Sequence, residues 1–315
     1  MAHEVETMAY AGEVPWHGLG KEVPADLSPE QMLKAAGLDW QVNKLPAYVK
    51  VGDEELMTGK SALVRSTDNS VLDVVSNDWN PVQNSTAFEF FNDFVYEGDL
   101  EMHTAGSLKN GQIVWALAKV KDSFELFGGD RVDSYLMFTN PHKFGQSIDV
   151  RFTPIRVVCN NTLTLALGKE SKNSARCTHA SVFDPESVKT TLGIASDQLR
   201  KYKNMAKFLG TKKAKLDKVN DYFKEVFPVV NQWGKESAIK EQSKNAKWAL
   251  DVLEQQPGAE FAKGSWWQAF NAVTYLVDHE LGRTAEKRLA SAWFGPNKQL
   301  KIKALDKAIQ YAEAA

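Results

Sequence analysis

Two cysteines in 315 residues, Cys159 and Cys177, are too few for a disulfide framework and point to a reducing, cytoplasmic compartment. No apolar run approaches the roughly 18 residues that a membrane span requires, so no membrane partner is expected. The opening stretch MAHEVETMAY has neither a basic flank nor an apolar core, and no secretory signal is expected from it. The sequence also has no internal repeat, no low-complexity segment, no H-E-x-x-H helix and no G-x-S-x-G elbow. Gly59-Lys60-Ser61 resembles the end of a phosphate-binding loop. However, Glu54 stands where the first glycine belongs, and Ser61 opens a β-branched strand instead of a helix. Cys159, Cys177 and His179 lack paired zinc spacing and a fourth ligand. No catalytic residue, metal or cofactor is therefore expected.

What is present is the composition of an ordinary globular protein, 43% hydrophobic and 25% charged, long enough for one large domain or two smaller ones. The net charge of −2 conceals a polarity. Residues 1–150 carry 11 Lys+Arg against 23 Asp+Glu, whereas residues 151–315 carry 27 against 17. The basic excess is concentrated in 151–218, with 14 against 5. Such a chain suits a polyanion on its basic side, or copies that stack acidic face on basic face.

Along the chain, Ser28, Pro29, Gln31 and Gly37 mark a capped helix. Strands are predicted near 47–51, 61–65 and 71–75, with Thr67–Ser70 as a turn. Thr86 and Glu89 are predicted to cap a helix over 86–96 whose buried stripe is Phe88, Phe91 and Val95. Lys109-Asn110-Gly111 should join strands at 101–108 and 112–120, since Asn-Gly suits the left-handed angles of a type I′ turn, and Gly128-Gly129 should turn the chain towards 131–139. Beyond Asp184-Pro185 the pattern becomes helical, with helices over 184–209, 213–227, 236–255, 265–281, 284–293 and 297–313. The fold class is α+β: an antiparallel β-sheet with flanking helices over 1–183, then a helical C-terminal region over 184–315 that can share its core.

The stretch SIDVRFTPIRVVCNNTLTLALGK joins the two regimes. Alternating Ile148, Val150, Phe152, Ile155 and Val157 predict a strand, with Pro154 at an edge or bulge. Asn161 is a natural N-cap for a helix carrying Leu163 and Leu167. Arg151 and Arg156 would then flank a helix mouth suited to anions; a core strand with surface arginines explains the same residues. Downstream, Arg176, Arg200, Lys201, Lys203 and Lys207 form a basic row, with Lys203 and Lys207 on one helix face and Arg200 a turn earlier. Trp16, beside His17 and two glycines, and Tyr135, on the sheet, are the candidate stacking rings for unpaired bases. Asp278-His279-Glu280 ends a helix; neighbouring residues point about 100° apart and form no acid–base pair by themselves.

PWHGLG, TDNSVLDVVS with PVQN, TAGSLKNGQIVWALAKV, TPIRVVCNNTLTLAL, WWQAFNAVTYLVDH and RLASAWFG together resemble the phage/plasmid-like proteins of the domain-of-unknown-function 932 family. The resemblance covers about residues 10–310 and implies a mobile-element origin in a bacterial cell. The order of elements is also similar to that of phage single-strand annealing recombinases, an analogy of fold alone. The expected function is single-stranded nucleic-acid binding, with annealing as its use, by a homo-oligomer that needs no nucleotide. Two alternatives stand beside it: a self-assembling structural or counter-defence protein, and an enzyme with a site around Cys159, Asn160, His179 and His279.

Overall fold

The computed structural model describes residues 5–12, 19–92, 95, 100–121, 124–156, 161–162, 174–179, 200–229, 242–282, 284, 288, 291–292 and 295–314. Two compact units emerge. Unit one comprises residues 1–121, 135–152 and 174–195; unit two comprises 122–134, 153–173 and 196–315. The expected cut near 183 lies outside the described residues.

Unit one is built on two sheets. In the larger, β1 (Val5–Ala11) pairs parallel with β2 (Lys21–Val23) and antiparallel with β6 (Leu100–Leu108). The ladder continues through β7 (Ile113–Val120) and β9 (Arg131–Pro141) to β10 (Ile148–Arg156), which β12 (Ser174–Cys177) joins antiparallel. The smaller sheet is the antiparallel set β3 (Val42–Val51), β4 (Glu54–Arg65) and β5 (Val71–Val75). Alternation along these strands supplies a core of Leu63, Leu72, Val114, Ala116, Phe138 and Val150, which Phe88 and Phe91 enter from the helical side.

Helix α1 (Pro29–Ala35) forms where its signals lie. Ser28 Oγ accepts from the Gln31 N–H at 3.2 Å, and Gln31 Oε1 accepts from the Ser28 N–H at 2.8 Å. Gly37 follows in the left-handed region at φ 67°, which only glycine enters without cost. Helix α2 (Asn84–Glu89) differs from expectation: it begins two residues early, and Thr86 and Glu89 lie inside it. The N-cap residue Gln83 uses its side chain elsewhere, exchanging hydrogen bonds of 2.9 and 3.1 Å with the Val42 backbone. The β6–β7 turn is also longer than Asn-Gly implies. Leu108 pairs with Ile113, leaving four residues of which Lys109, Asn110 and Gly111 all have positive φ.

Unit two is mainly helical. It begins with β8 (Phe124–Glu125), which pairs with Arg131 and Val132 at the start of β9. Helix α3 covers residues 200–211 as described; its expected start at 184 lies outside the described residues. There follow α4 (Leu216–Val226), α5 (Lys244–Val252), a 3₁₀ turn (Ala259–Ala262), α6 (Trp266–Tyr275) running into a π-helical turn (Leu276–Glu280), and α7 (Pro296–Glu313). Ser243 and Ser265 cap α5 and α6 through their hydroxyls. Tyr222, Phe223, Trp266, Trp267, Phe270 and Leu305 form the core. Helix α3 ends at residue 211, close to the expected end before Gly210. A Cβ at Gly210 would lie 1.9 Å from Cζ of Phe127, so glycine also serves close packing at this position.

Candidate nucleic-acid interface

The joining stretch corrects the first expectation. Asn161 caps no helix: β11 (Asn161–Thr162) pairs antiparallel with Ile155 and Arg156 of β10. Hydrogen bonding along the open edge of β10 outweighs the capping preference of asparagine. Among the described residues no helix mouth stands beside the two arginines, and Leu163 and Leu167 lie outside them. Pro154 sits where β10 changes partners, between the residues paired with β12 (148–151) and those paired with β11 (155–156).

Arg151 turns inward. Its side chain is 12% exposed, its guanidinium stands 3.8 Å from the Asp149 carboxylate, and Nη2 approaches Met137 Sδ at 3.9 Å. That is the setting of a structural ion pair, and it removes Arg151 from the phosphate contacts. Arg156 lies in unit two, opposite Asn161. Arg176 lies in unit one, opposite Asp149. Their side chains are outside the description. Tyr135 is 6% exposed and meets His103 edge-on at 5.0 Å, so its ring has no free face for a base. Trp16 lies outside the described residues.

The basic row on α3 does come together. Helical periodicity puts Arg200 and Lys207, both exposed, on the side opposite the buried Tyr202, Ala206 and Leu209, with exposed Lys201 on one flank and half-buried Lys203 on the other. Lys213, Lys215 and Lys218 continue the row, exposed, through the connection into α4. Lys201, Lys203, Lys207, Lys212, Lys213, Lys215 and Lys218 form no ion pair among the described residues. Asp217 is the one carboxylate between 200 and 218.

Two half-buried rings, absent from the sequence expectation, lie under these lysines. Lys203 Nζ is 5.5 Å from the centroid of Phe124, and Lys212 Nζ is 5.4 Å from that of Phe208. The second contact was legible as an i,i+4 spacing on a basic helix. The first joins residues 79 positions apart by way of a short β8 strand, and no local pattern announces it.

Cys159 and Asn160 are outside the description, His179 belongs to unit one and His279 to unit two. Among the described residues no three His, Cys, Asp or Glu side chains form a metal-binding group. His279 is not a free surface group at a helix end; it stacks on Tyr275 at 4.7 Å within the π turn. Its neighbour Asp278 is fully buried with Lys301, whose Nζ donates to Asp278 Oδ1 at 2.9 Å. In unit one His179 stacks on Trp79 at 3.9 Å, and His142 Nε2 lies 2.9 Å from Asn84 Oδ1.

An antiparallel-rich sheet unit with its own core, and a helical unit with another, define an α+β protein with a run of lysines on one helix and the turn after it. Residues 71–293 match the family described as a domain of unknown function (DUF932), and the chain belongs to that family. No curated protein and no solved structure matches the chain. Among the described residues, no helix is long and apolar enough to cross a membrane.

Proposed function

We propose that the chain binds single-stranded nucleic acid through α3 and its connection to α4, without reading sequence, in the DNA metabolism of a phage or plasmid within the bacterial cytoplasm. The observation that supports this reading is the run of seven lysines between 201 and 218 that lack an ion pair among the described residues. Solvated helix faces usually intersperse both signs, whereas one-signed rows attract a phosphate backbone and gain by releasing its counterions. Phe124 and Phe208, half-buried beneath Lys203 and Lys212, offer ring surface to unstacked bases. Arg200, Lys201, Lys203 and Lys207 are the principal phosphate contacts. Annealing of complementary strands is the use that such sequence-blind binding allows.

Fluorescence anisotropy with a labelled oligothymidine over a salt series tests the reading. Four phosphate contacts predict a slope of log K on log salt of about −3. The triple variant Lys201→Glu, Lys203→Glu, Lys207→Glu should flatten that slope and weaken binding by at least about tenfold, with an unchanged circular-dichroism spectrum. Unsaturable binding, or a flat slope for the unaltered protein, removes the reading.

A further inference from the structure

Ten large apolar side chains are exposed among the described residues, and eight of them lie on the small sheet of unit one: Leu45, Tyr48, Val49, Val51, Leu56, Met57, Val71 and Val74. Five of these belong to the distal half of the β3–β4 hairpin. An irregularity between Pro46 and Tyr48 divides the hairpin, and beyond it Tyr48–Val51 pair with Glu54–Met57. β5 reaches β4 only at residues 61–64, so the distal ribbon is two strands wide. Cross-strand partners share a face. Tyr48 and Met57, exposed by 54% and 67%, occupy one side, while Val49, Val51 and Leu56, exposed by 49%, 58% and 47%, occupy the other. A two-stranded ribbon with apolar side chains on both faces is marginal alone, and its unpaired backbone edges are templates for another strand.

The two edges carry opposite charge. In the distal ribbon β3 contributes Lys50 and no acid; β4 contributes Glu54 and Glu55 and no base. None of the three makes an ion pair among the described residues. We propose that this ribbon binds a second copy of the chain, the β3 edge of one copy adding to the distal β4 edge of the next. That arrangement sets Lys50 beside the carboxylates of the neighbour, whereas β4 against β4 would crowd four carboxylates together. The acidic tip Asp53-Glu54-Glu55 disfavours nucleic acid as the occupant. Because the two edges differ, the contact is head-to-tail and continues into rings or filaments.

The test is light scattering and sedimentation of the full chain without nucleic acid, so that its outcome is independent of the lysine row. The unaltered protein should associate with rising concentration at low salt. Lys50→Glu alone, and Glu54→Lys with Glu55→Lys, should each weaken association by about tenfold or more. An equal mixture of the two variants should assemble again, because each then supplies the edge complementary to the other. Melting curves confirm that both variants fold. A strict monomer at all concentrations would mean that Lys50 guards an edge instead of pairing it, and would overturn the proposal. Association unchanged by both charge variants, or a mixture no larger than its components, would overturn it equally.

Discussion

The two units bury titratable side chains in opposite ways. Among the described residues of unit one the most deeply buried such group is His142, which carries no charge at neutral pH: burial, and then the nearby His179, push its pKa down from 6.5 to about 3. Arg65 lies closer to solvent and is held by Glu6 and Asp68. Unit two instead sinks whole charges. Lys301 and Asp278 are both fully enclosed, and Asp130, equally buried, accepts from Trp267 Nε1 at 3.1 Å. Net charge does not explain the difference, since unit one is the acidic one, with 13 Lys+Arg against 21 Asp+Glu. The difference lies in what each interior offers. A sheet core has few donors left over after its ladders, so an imidazole there stays neutral. A long lysine stem on a helix can reach across and carry its ammonium to a carboxylate. Unit one should therefore be sensitive to acid, and unit two to substitution.

The largest expected effect is in unit two. Lys301→Met takes the ammonium from a buried carboxylate, and should cost about 3–5 kcal/mol and roughly ten degrees of Tm. Replacing both partners, Lys301→Met with Asp278→Leu, should recover most of that loss, since an apolar pair needs no compensation. Thermal melts of the two variants decide the matter. A single variant no less stable than the double would show that the pair is held by solvent, and the contrast between the units would fall.

The acid response of unit one comes next. His142 is neutral in the folded chain down to about pH 3, but an unfolded chain protonates it below about 6.5. Between those values the unfolded state holds the extra proton, so stability is complete above 6.5 and declines as pH falls. The slope is about 1.4 kcal/mol per pH unit, or roughly 2–3 kcal/mol lost by pH 4.5. His179, also shifted down by burial, adds in the same direction. Melting curves from pH 7 to 4.5 should show this decline, and His142→Gln should flatten part of it. An unchanged slope in that variant would assign the acid response to other groups.

Local chemistry carried most of the element order. The α1 capping box, the Gly128-Gly129 turn, the Thr67–Ser70 turn between β4 and β5 and the α6 helix each follow from residues close in sequence, whereas the β3–β4 hairpin and the first half of β4 went unread. The misreadings share a cause, since each residue was engaged by a distant partner. Gln83 was held by Val42, and Asn161 was drawn into a strand by β10. The candidate site divided along the same line. The lysine row on α3 is a property of one helix and was legible; Arg151 and Tyr135 lie on strands whose solvent side only the tertiary structure decides. The exposed ribbon shows the same limit, because its alternation of apolar residues reads identically whether or not a third strand covers it.

Gly210 gives the finest of these comparisons, because two local effects there have opposite signs. In a helix, Gly→Ala ordinarily gains up to about 1 kcal/mol by lowering the entropy of the unfolded chain, and less in a last turn such as that of Gly210. At Gly210 the added methyl would meet Phe127, with three ring atoms at 1.9, 2.4 and 2.8 Å from the new Cβ. The ring must leave its place in a packed core, which costs about 1–3 kcal/mol and exceeds the gain. Gly210→Ala should thus lower stability by about 1–2 kcal/mol net, and Gly210→Ala with Phe127→Ala should lose less than the sum of the separate changes. A double-mutant cycle by urea titration measures that coupling. Additive losses would mean that ring and helix do not touch in solution, and α3 would then be held in unit two by its other core contacts, through Tyr202, Met205, Ala206, Phe208 and Leu209.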